Sequence, residues 1–170
     1  MATGGLSTGM EPVAPANDLA AQKARAQQIV GAGAGWFIWI AGLSVVNSVI
    51  GMAGGGVHFI VGLGITQEVD ALAKEAGSSG MVLDLIINGF VVGVFALFWH
   101  FARKGQSWAF IVGMLLYAAD GLLLLVFKDI FSVAFHAYAL FRIYNGFKVL
   151  PILQKLEQAM APAGAPIVPR

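Results

Sequence analysis

The sequence predicts an all-α integral membrane four-helix bundle with both termini in the cytoplasm, and three observations lead to this fold class. Apolar residues make up 58% of the 170 residues and charged residues only 11%, which leaves too little polar surface to enclose a soluble core. Four stretches reach the roughly 20 residues that a helix needs to cross a hydrocarbon core about 30 Å thick. The basic residues lie mostly on one side of these stretches.

The chain divides into one membrane domain between two tails. Residues 1–16 and 159–170 are rich in Pro, Gly and Ala and offer few apolar side chains to bury, so both are predicted to be flexible. Asn17 or Asp18 is predicted to cap a long first helix, because the helix formers of 19–30 continue into apolar sequence without a breaker. Residues 17–158 form the predicted domain, with spans at about 32–52, 81–101, 107–127 and 130–149.

The connections between the spans are of two kinds. Residues 103–106 and 128–129 are short charged turns, which join antiparallel neighbours. The connection between the first two spans is longer, and its residues 57–76 carry apolar side chains at helical spacing but are too short to cross. We predict an outer amphipathic helix there, either interfacial or re-entrant. A full crossing would move Arg103 and Lys104 to the outside, against the charge bias.

The distribution of Lys and Arg sets the predicted orientation. Lys74 and Lys128 fall on the outer side, and Arg142 lies within a span. The remaining basic residues place both termini in the cytoplasm by the positive-inside rule. These residues are Lys23, Arg25, Arg103, Lys104, Lys148, Lys155 and Arg170.

Glycines spaced four residues apart permit close approach of helices in lipid. We interpret them as ordinary packing inside one bundle, with the seam of a homodimer as the alternative. The pairs are Gly31/Gly35, Gly51/Gly55 and Gly89/Gly93.

Polar residues of the four spans are predicted to meet in one layer. A rise of about 1.5 Å per residue and alternating helix directions place one from each span roughly 8 to 10 Å below the outer boundary. Unpaired polar groups are costly in hydrocarbon, so we predict a shared network in which Asp120 and His136 are in contact. The carboxylate of such a pair either stabilises the imidazolium or shares one proton with the ring. Asp84, roughly 5 Å deep, is a candidate access residue from the outer side. The candidate layer consists of Asn47, Asn88, Asp120 and His136.

This layer has two interpretations. Membrane bundles use Asn, Asp and His to fix helix packing, which favours a structural role. Ionisable residues inside a membrane also mark proton, ion or ligand sites, which favours a transporter-like or proton-responsive protein.

A second polar group lies deeper on the fourth span. Tyr138, Arg142 and Asn145 share one helix face, and Arg142 is roughly 10 Å from the inner boundary. We expect its side chain to extend to that boundary, with an anion or lipid-headgroup site formed by Arg142 and Asn145, or a pair with Asp120, as alternatives. The tryptophans near the inner ends of the spans, read as interfacial residues, are Trp36, Trp39, Trp99 and Trp108.

Several kinds of chemistry have no support in the sequence. The chain has no Cys, lacks the motifs of zinc proteases, di-iron proteins, serine hydrolases and P-loops, and shows no nucleic-acid-binding module. Ser44, Ser48 and Ser132 have no evident catalytic partner. A haem would need two histidines at one depth, and only His58 with His136 would serve, if the outer connection folded inward. We therefore expect no catalytic residue, metal or cofactor.

Two stretches resemble a known group of proteins. Residues 59–73 (FIVGLGITQEVDALA) and 108–146 (WAFIVGMLLYAADGLLLLVFKDIFSVAFHAYALFRIYNG) are similar to a family of small bacterial multi-span inner-membrane proteins that is uncharacterised. The resemblance covers roughly half the chain. It implies a multi-pass location in a bacterial inner membrane and brings no activity and no functional residue with it.

The expected function is non-enzymatic. The chain is predicted to be a packing or accessory component of the membrane or of a larger membrane complex. Its expected partners are the lipid bilayer and either further copies of itself or that complex, and no nucleic acid.

Overall fold

The structure, a computed structural model, describes residues 16–52, 77–126 and 128–161. The predicted outer segment 57–76 lies outside the described residues, as do nearly all of both predicted tails. The backbone of Asp84 is described as helical, but its side chain is not described. The proposed access role of Asp84 therefore stays a prediction.

The described chain is all α-helical. It consists of α1 (Ala16–Met52), α2 (Gly77–Arg103), α3 (Ser107–Val126) and α4 (Ile130–Ala159). The long first helix is confirmed, but Asn17 and Asp18 both lie inside it and neither is its N-cap. The helix begins at Ala16, so that Asp18 lies in its first turn, where a carboxylate interacts favourably with the free N–H groups. Helix α4 continues about three turns beyond the predicted end of its span.

The four helices form a closed ring in which each packs against its neighbours along the chain and α4 packs against α1. Pairs across the helix interfaces show that neighbours are antiparallel. Ser48 of α1 contacts Asn88 in the first half of α2, whereas Phe37, earlier on α1, packs against Phe98 near the end of α2. Short turns reverse the chain between α2 and α3 and between α3 and α4. In the first of these turns Gly105 has a φ of 76°, a left-handed conformation that favours glycine.

Buried residues recur at helical spacing and show which stripe of each helix faces inward. On α4 they recur every three or four residues, the pattern of a helix that packs along one seam. The core beside the seam is aromatic, with the ring of Phe37 5.9 to 6.2 Å from three other phenylalanine rings. The buried residues of α4 are Ser132, His136, Ala139, Ile143, Gly146, Leu150 and Leu153.

One pair of glycines brings α1 and α4 into backbone contact. A Cβ added to Gly33 would lie 2.6 Å from the Cα of Gly146, so neither position has room for a side chain. The predicted glycine pairs do not act in this way: at Gly31 and Gly35 an added Cβ would meet nothing within 4 Å, and the same holds at Gly89 and Gly93. Our interpretation of those pairs as packing inside the bundle is therefore wrong, and Gly51/Gly55 lie outside the described side chains.

Large apolar side chains cover the outside of every described helix. Exposed examples are Trp39 at 66%, Phe90 at 71%, Val126 at 75% and Ile130 at 67%. Three helical stretches are long and apolar enough to cross a membrane, namely Asn17–Ile50, Leu85–Arg103 and Ser107–Val126. Helix α4, the fourth predicted span, is not among them, because its polar residues lower its mean hydropathy.

Candidate functional site

Asp120 of α3 and His136 of α4 form a buried pair. The His136 Nε2 atom lies 2.8 Å from the Asp120 Oδ2 atom, and the two side chains are 2% and 6% exposed. The short turn between α3 and α4 makes these helices antiparallel neighbours, so residues on either side of the turn meet at the same level. The predicted contact between Asp120 and His136 is confirmed. We refer to these residues as the Asp120–His136 pair.

The second ring nitrogen of His136 fixes how protons are distributed in the pair. The Nδ1 atom lies 2.8 Å from the carbonyl oxygen of Ser132, which can only accept, so Nδ1 carries a proton. A 2.8 Å contact between Nε2 and Oδ2 then requires one proton between them, bonded to either atom. The pair is an imidazolium with a carboxylate or an imidazole with a carboxylic acid. Its net charge is zero in both forms.

The imidazole of His136 packs closely against α3. The ring of Tyr117 stacks on it with a centroid distance of 4.2 Å and an interplanar angle of 17°. Gly121, one turn further along α3, also lies against this side chain: a Cβ there would be 3.2 Å from the Cβ of His136. Tyr117 itself is fully buried, and its hydroxyl has no hydrogen-bond partner within the described part of the chain. The ring therefore sits in a closely fitted slot.

The first turn of α4 connects this slot to the turn between the helices. Asp129 caps the helix: its Oδ1 accepts from the Ser132 backbone N–H at 3.1 Å, and its Oδ2 accepts from the Ser132 hydroxyl. The carbonyl of the same serine accepts from His136. The cap thus holds the serine residue whose carbonyl orients the imidazole.

The other predicted members of the layer are also buried. The Asn88 side-chain amide donates to the Ser48 hydroxyl at 3.1 Å, and Asn47 is 8% exposed. Ser44 donates to the carbonyl of Ile40, one turn earlier. All four predicted polar residues are therefore buried.

The Arg142 side chain is exposed at the surface of the bundle. Its Nη1 donates to the Tyr138 hydroxyl at 3.2 Å, and its guanidinium carbon lies 5.8 Å from the centroid of the Trp36 ring and 5.9 Å from that of Tyr138. The alternative pairing of Arg142 with Asp120 is wrong, since the carboxylate faces His136. Asn145, three residues further along, is half-buried.

Sequence reasoning missed the residues that build the slot. Ser48 and Ser132 were judged to lack partners as nucleophiles, and both in fact make hydrogen bonds that position other polar side chains. Asp129 and Ser132 lie three residues apart at the start of an apolar helix, which is a spacing typical of an N-cap. From the sequence alone, residues 128–129 are interpreted only as a turn. Gly121 and Tyr117 carried no distinctive signal, since both occur commonly in apolar helices.

The described residues contain no evident site for a metal ion or a haem. Within 16–52, 77–126 and 128–161 no group of three His, Cys, Asp or Glu side chains lies close enough to hold a metal ion. Both ring nitrogens of His136 are engaged by protein atoms, and His100 lies at the exposed end of α2. His58, the other histidine considered for haem, lies outside the described residues. Comparison with protein families, curated proteins and solved structures finds no match.

Proposed function

We propose that the protein is a non-enzymatic, multi-pass integral membrane protein, a four-span bundle that serves as a packing or accessory component of the membrane or of a larger membrane complex. The observation that carries the proposal is the apolar exterior: exposed large apolar side chains occur on all four described helices. Soluble monomers rarely expose contiguous apolar surface of this extent, whereas lipid chains cover it without cost.

Helix α4 is the fourth span in this proposal. It packs antiparallel to both α1 and α3, so it runs the length of the same bundle. Its least favourable group for a membrane, the Asp120–His136 pair, is buried against α3 and carries no net charge. Pairing of this kind lowers the cost of an ionisable residue in hydrocarbon. The proposed location is the plasma membrane of a bacterium, with both termini in the cytoplasm.

A structural role for the Asp120–His136 pair follows from its enclosure. The imidazole is held by Tyr117, Gly121 and the Ser132 carbonyl, and all of its hydrogen-bonding capacity is used inside the protein. A group arranged in this way stabilises one packing of α3 on α4. We therefore expect the pair to fix the geometry of the bundle.

The number of spans can be tested with single cysteines, because the chain has none of its own. Lys128→Cys, Gln106→Cys and Lys155→Cys place one thiol at each of three ends of the described helices. In intact cells a membrane-impermeant maleimide is expected to label only the Lys128→Cys variant, and the other two only after permeabilisation. Labelling of positions 128 and 155 from the same side would show that α4 does not cross.

A second candidate function is a proton-responsive or transporter-like protein. The observation that favours it is a connected set of contacts from Asp129, at the half-buried start of α4, through Ser132 to His136 and Asp120. Hydrogen exchange of α3 and α4 amides between about pH 5 and pH 8 separates the two functions. The structural role predicts no change with pH beyond the intrinsic exchange rates. A proton-responsive role predicts a change that Asp120→Asn removes.

A further inference from the structure

Arg142 carries an unusual amount of unused hydrogen-bonding capacity for a residue within a proposed membrane span. It lies seven residues before Val149, or roughly 10 Å along the helix from the predicted inner end of the span. A guanidinium has five N–H donors and is costly in hydrocarbon unless it is paired. Among the described residues, Arg142 donates one hydrogen bond, to Tyr138, and lies over two aromatic rings. Its remaining donors are open to the surroundings of the protein.

A groove between α1 and α4 passes this guanidinium. Its volume is about 500 Å³, and we call it the Arg142 groove. At one end its wall is made by Ala32 and Gly35, which have little or no side chain, and at the other by Trp39 and Leu43. Gly35 is open, since an added Cβ would meet nothing within 4 Å.

The direction of the groove matches that of a lipid. Ala32 is at the predicted inner boundary of the first span, and Leu43 lies roughly 16 Å further toward the middle of the bundle. The spacious end therefore faces the level of lipid headgroups, and the apolar end faces the level of their acyl chains. In the structure the guanidinium lies over Trp36, roughly 6 Å along α1 from Ala32, where headgroup phosphates are the nearest available anions.

We propose that the Arg142 groove binds an anionic phospholipid of the inner leaflet, with its phosphate on Arg142 and an acyl chain along Trp39 and Leu43. Asn145, one turn nearer the boundary on the same helix, is the expected second donor to the phosphate. Guanidinium and phosphate form paired N–H···O bonds, which gives Arg an advantage over Lys in this role. The inference rests on the proposed membrane location.

Native mass spectrometry of the delipidated, detergent-solubilised full chain tests the inference. The probes are phosphatidylglycerol, phosphatidylcholine and inorganic phosphate. We expect the wild type to retain one phosphatidylglycerol in preference to phosphatidylcholine, and to retain no inorganic phosphate at the same concentration. Arg142→Gln is expected to weaken phosphatidylglycerol binding about tenfold through the loss of a charge-assisted contact.

A second variant fills the groove without altering its charge. Gly35→Leu is expected to reduce retention of both lipids, because its side chain occupies the space beside Arg142. Gly89→Leu is the matched control on α2, where an added Cβ also meets open space, and it is expected to bind as the wild type does. Far-UV circular dichroism checks that all variants keep their helices.

The outcomes separate this inference from the proposed function. Equal retention of phosphatidylglycerol by the wild type, Arg142→Gln and Gly35→Leu would overturn the lipid site while leaving the membrane location intact. Binding of inorganic phosphate as tight as that of lipid would overturn the assignment of the ligand to the bilayer. A chain that stays soluble and monomeric without detergent would overturn both proposals.

Discussion

Removing the Asp120 carboxylate is the perturbation whose effect can be worked out most fully from the structure. In Asp120→Ala the buried Nε2 atom of His136 loses its partner, and the side chains in this slot are only 2% and 6% exposed. Breaking one side of a buried pair of this kind costs about 3 to 5 kcal/mol. Asp120→Asn keeps the shape and a hydrogen bond, because the amide can donate to Nε2 of the neutral imidazole. We expect that variant to lose less than about 1.5 kcal/mol.

The contribution of the contact itself requires a double-mutant cycle of Asp120→Ala and His136→Ala. Hydrogen bonds within membrane proteins have coupling energies of about 0.6 kcal/mol on average and about 1.7 kcal/mol at most. We expect about 2 kcal/mol here, because the contact shares a proton between two ionisable groups in a slot closed by Tyr117 and Gly121.

The assay is equilibrium unfolding in mixed micelles of mild detergent and sodium dodecyl sulfate, followed by far-UV circular dichroism. The Asp120→Asn variant is the matched control, since it removes the ionisable carboxyl group and keeps the size of the side chain. Single effects that add within about 0.5 kcal/mol would contradict the predicted coupling, because they would mean that the two side chains stabilise the bundle independently.

Three further predictions concern packing and the helix ends. Gly33→Ala is expected to destabilise the bundle by about 1 to 3 kcal/mol, because its Cβ would press on the backbone of Gly146, whereas Gly35→Ala is expected to leave stability unchanged in the same unfolding assay. Asp129→Ala removes the cap of α4 and is expected to cost about 1 kcal/mol, with Asp129→Ser recovering most of it; equal losses would contradict the capping role. Lys128 has a φ of 61°, so Lys128→Gly is expected to raise stability by up to about 1 kcal/mol, and a loss would contradict strain at this turn.

The Asp120–His136 contact could be predicted because it depends only on the positions of two helices along the chain and on the length of the turn between them. The lengths of the apolar stretches and the short turn at 128–129 set two antiparallel helices, and counting residues from that turn places both side chains at the same level. The cost of an unpaired polar group in hydrocarbon then favours contact. The same reasoning predicted that Asn47 and Asn88 are buried, but it did not identify the Ser48 hydroxyl as a partner of Asn88.

The glycine contacts could not be predicted, because they depend on which face of each helix turns inward. Apolar residues surround these helices on all sides, so the usual contrast between a polar and an apolar face is missing. Gly31 and Gly35 are four residues apart and Gly33 lies between them, yet of the three only Gly33 is in close contact with the backbone of α4. The position of Arg142 over Trp36 was missed for the same reason, since it requires the rotation of α1 relative to α4.

The protonation of His136 is the most direct test of a bundle fixed by one shared proton. Nitrogen-15 NMR of the protein in micelles, with His136→Asn used to assign the signal, distinguishes the two ring nitrogens. We expect a protonated Nδ1 and a single strongly hydrogen-bonded proton between Nε2 and Asp120. A neutral ring with its proton on Nε2 and a bare Nδ1 would contradict it, because Nδ1 could then make no hydrogen bond to the Ser132 carbonyl.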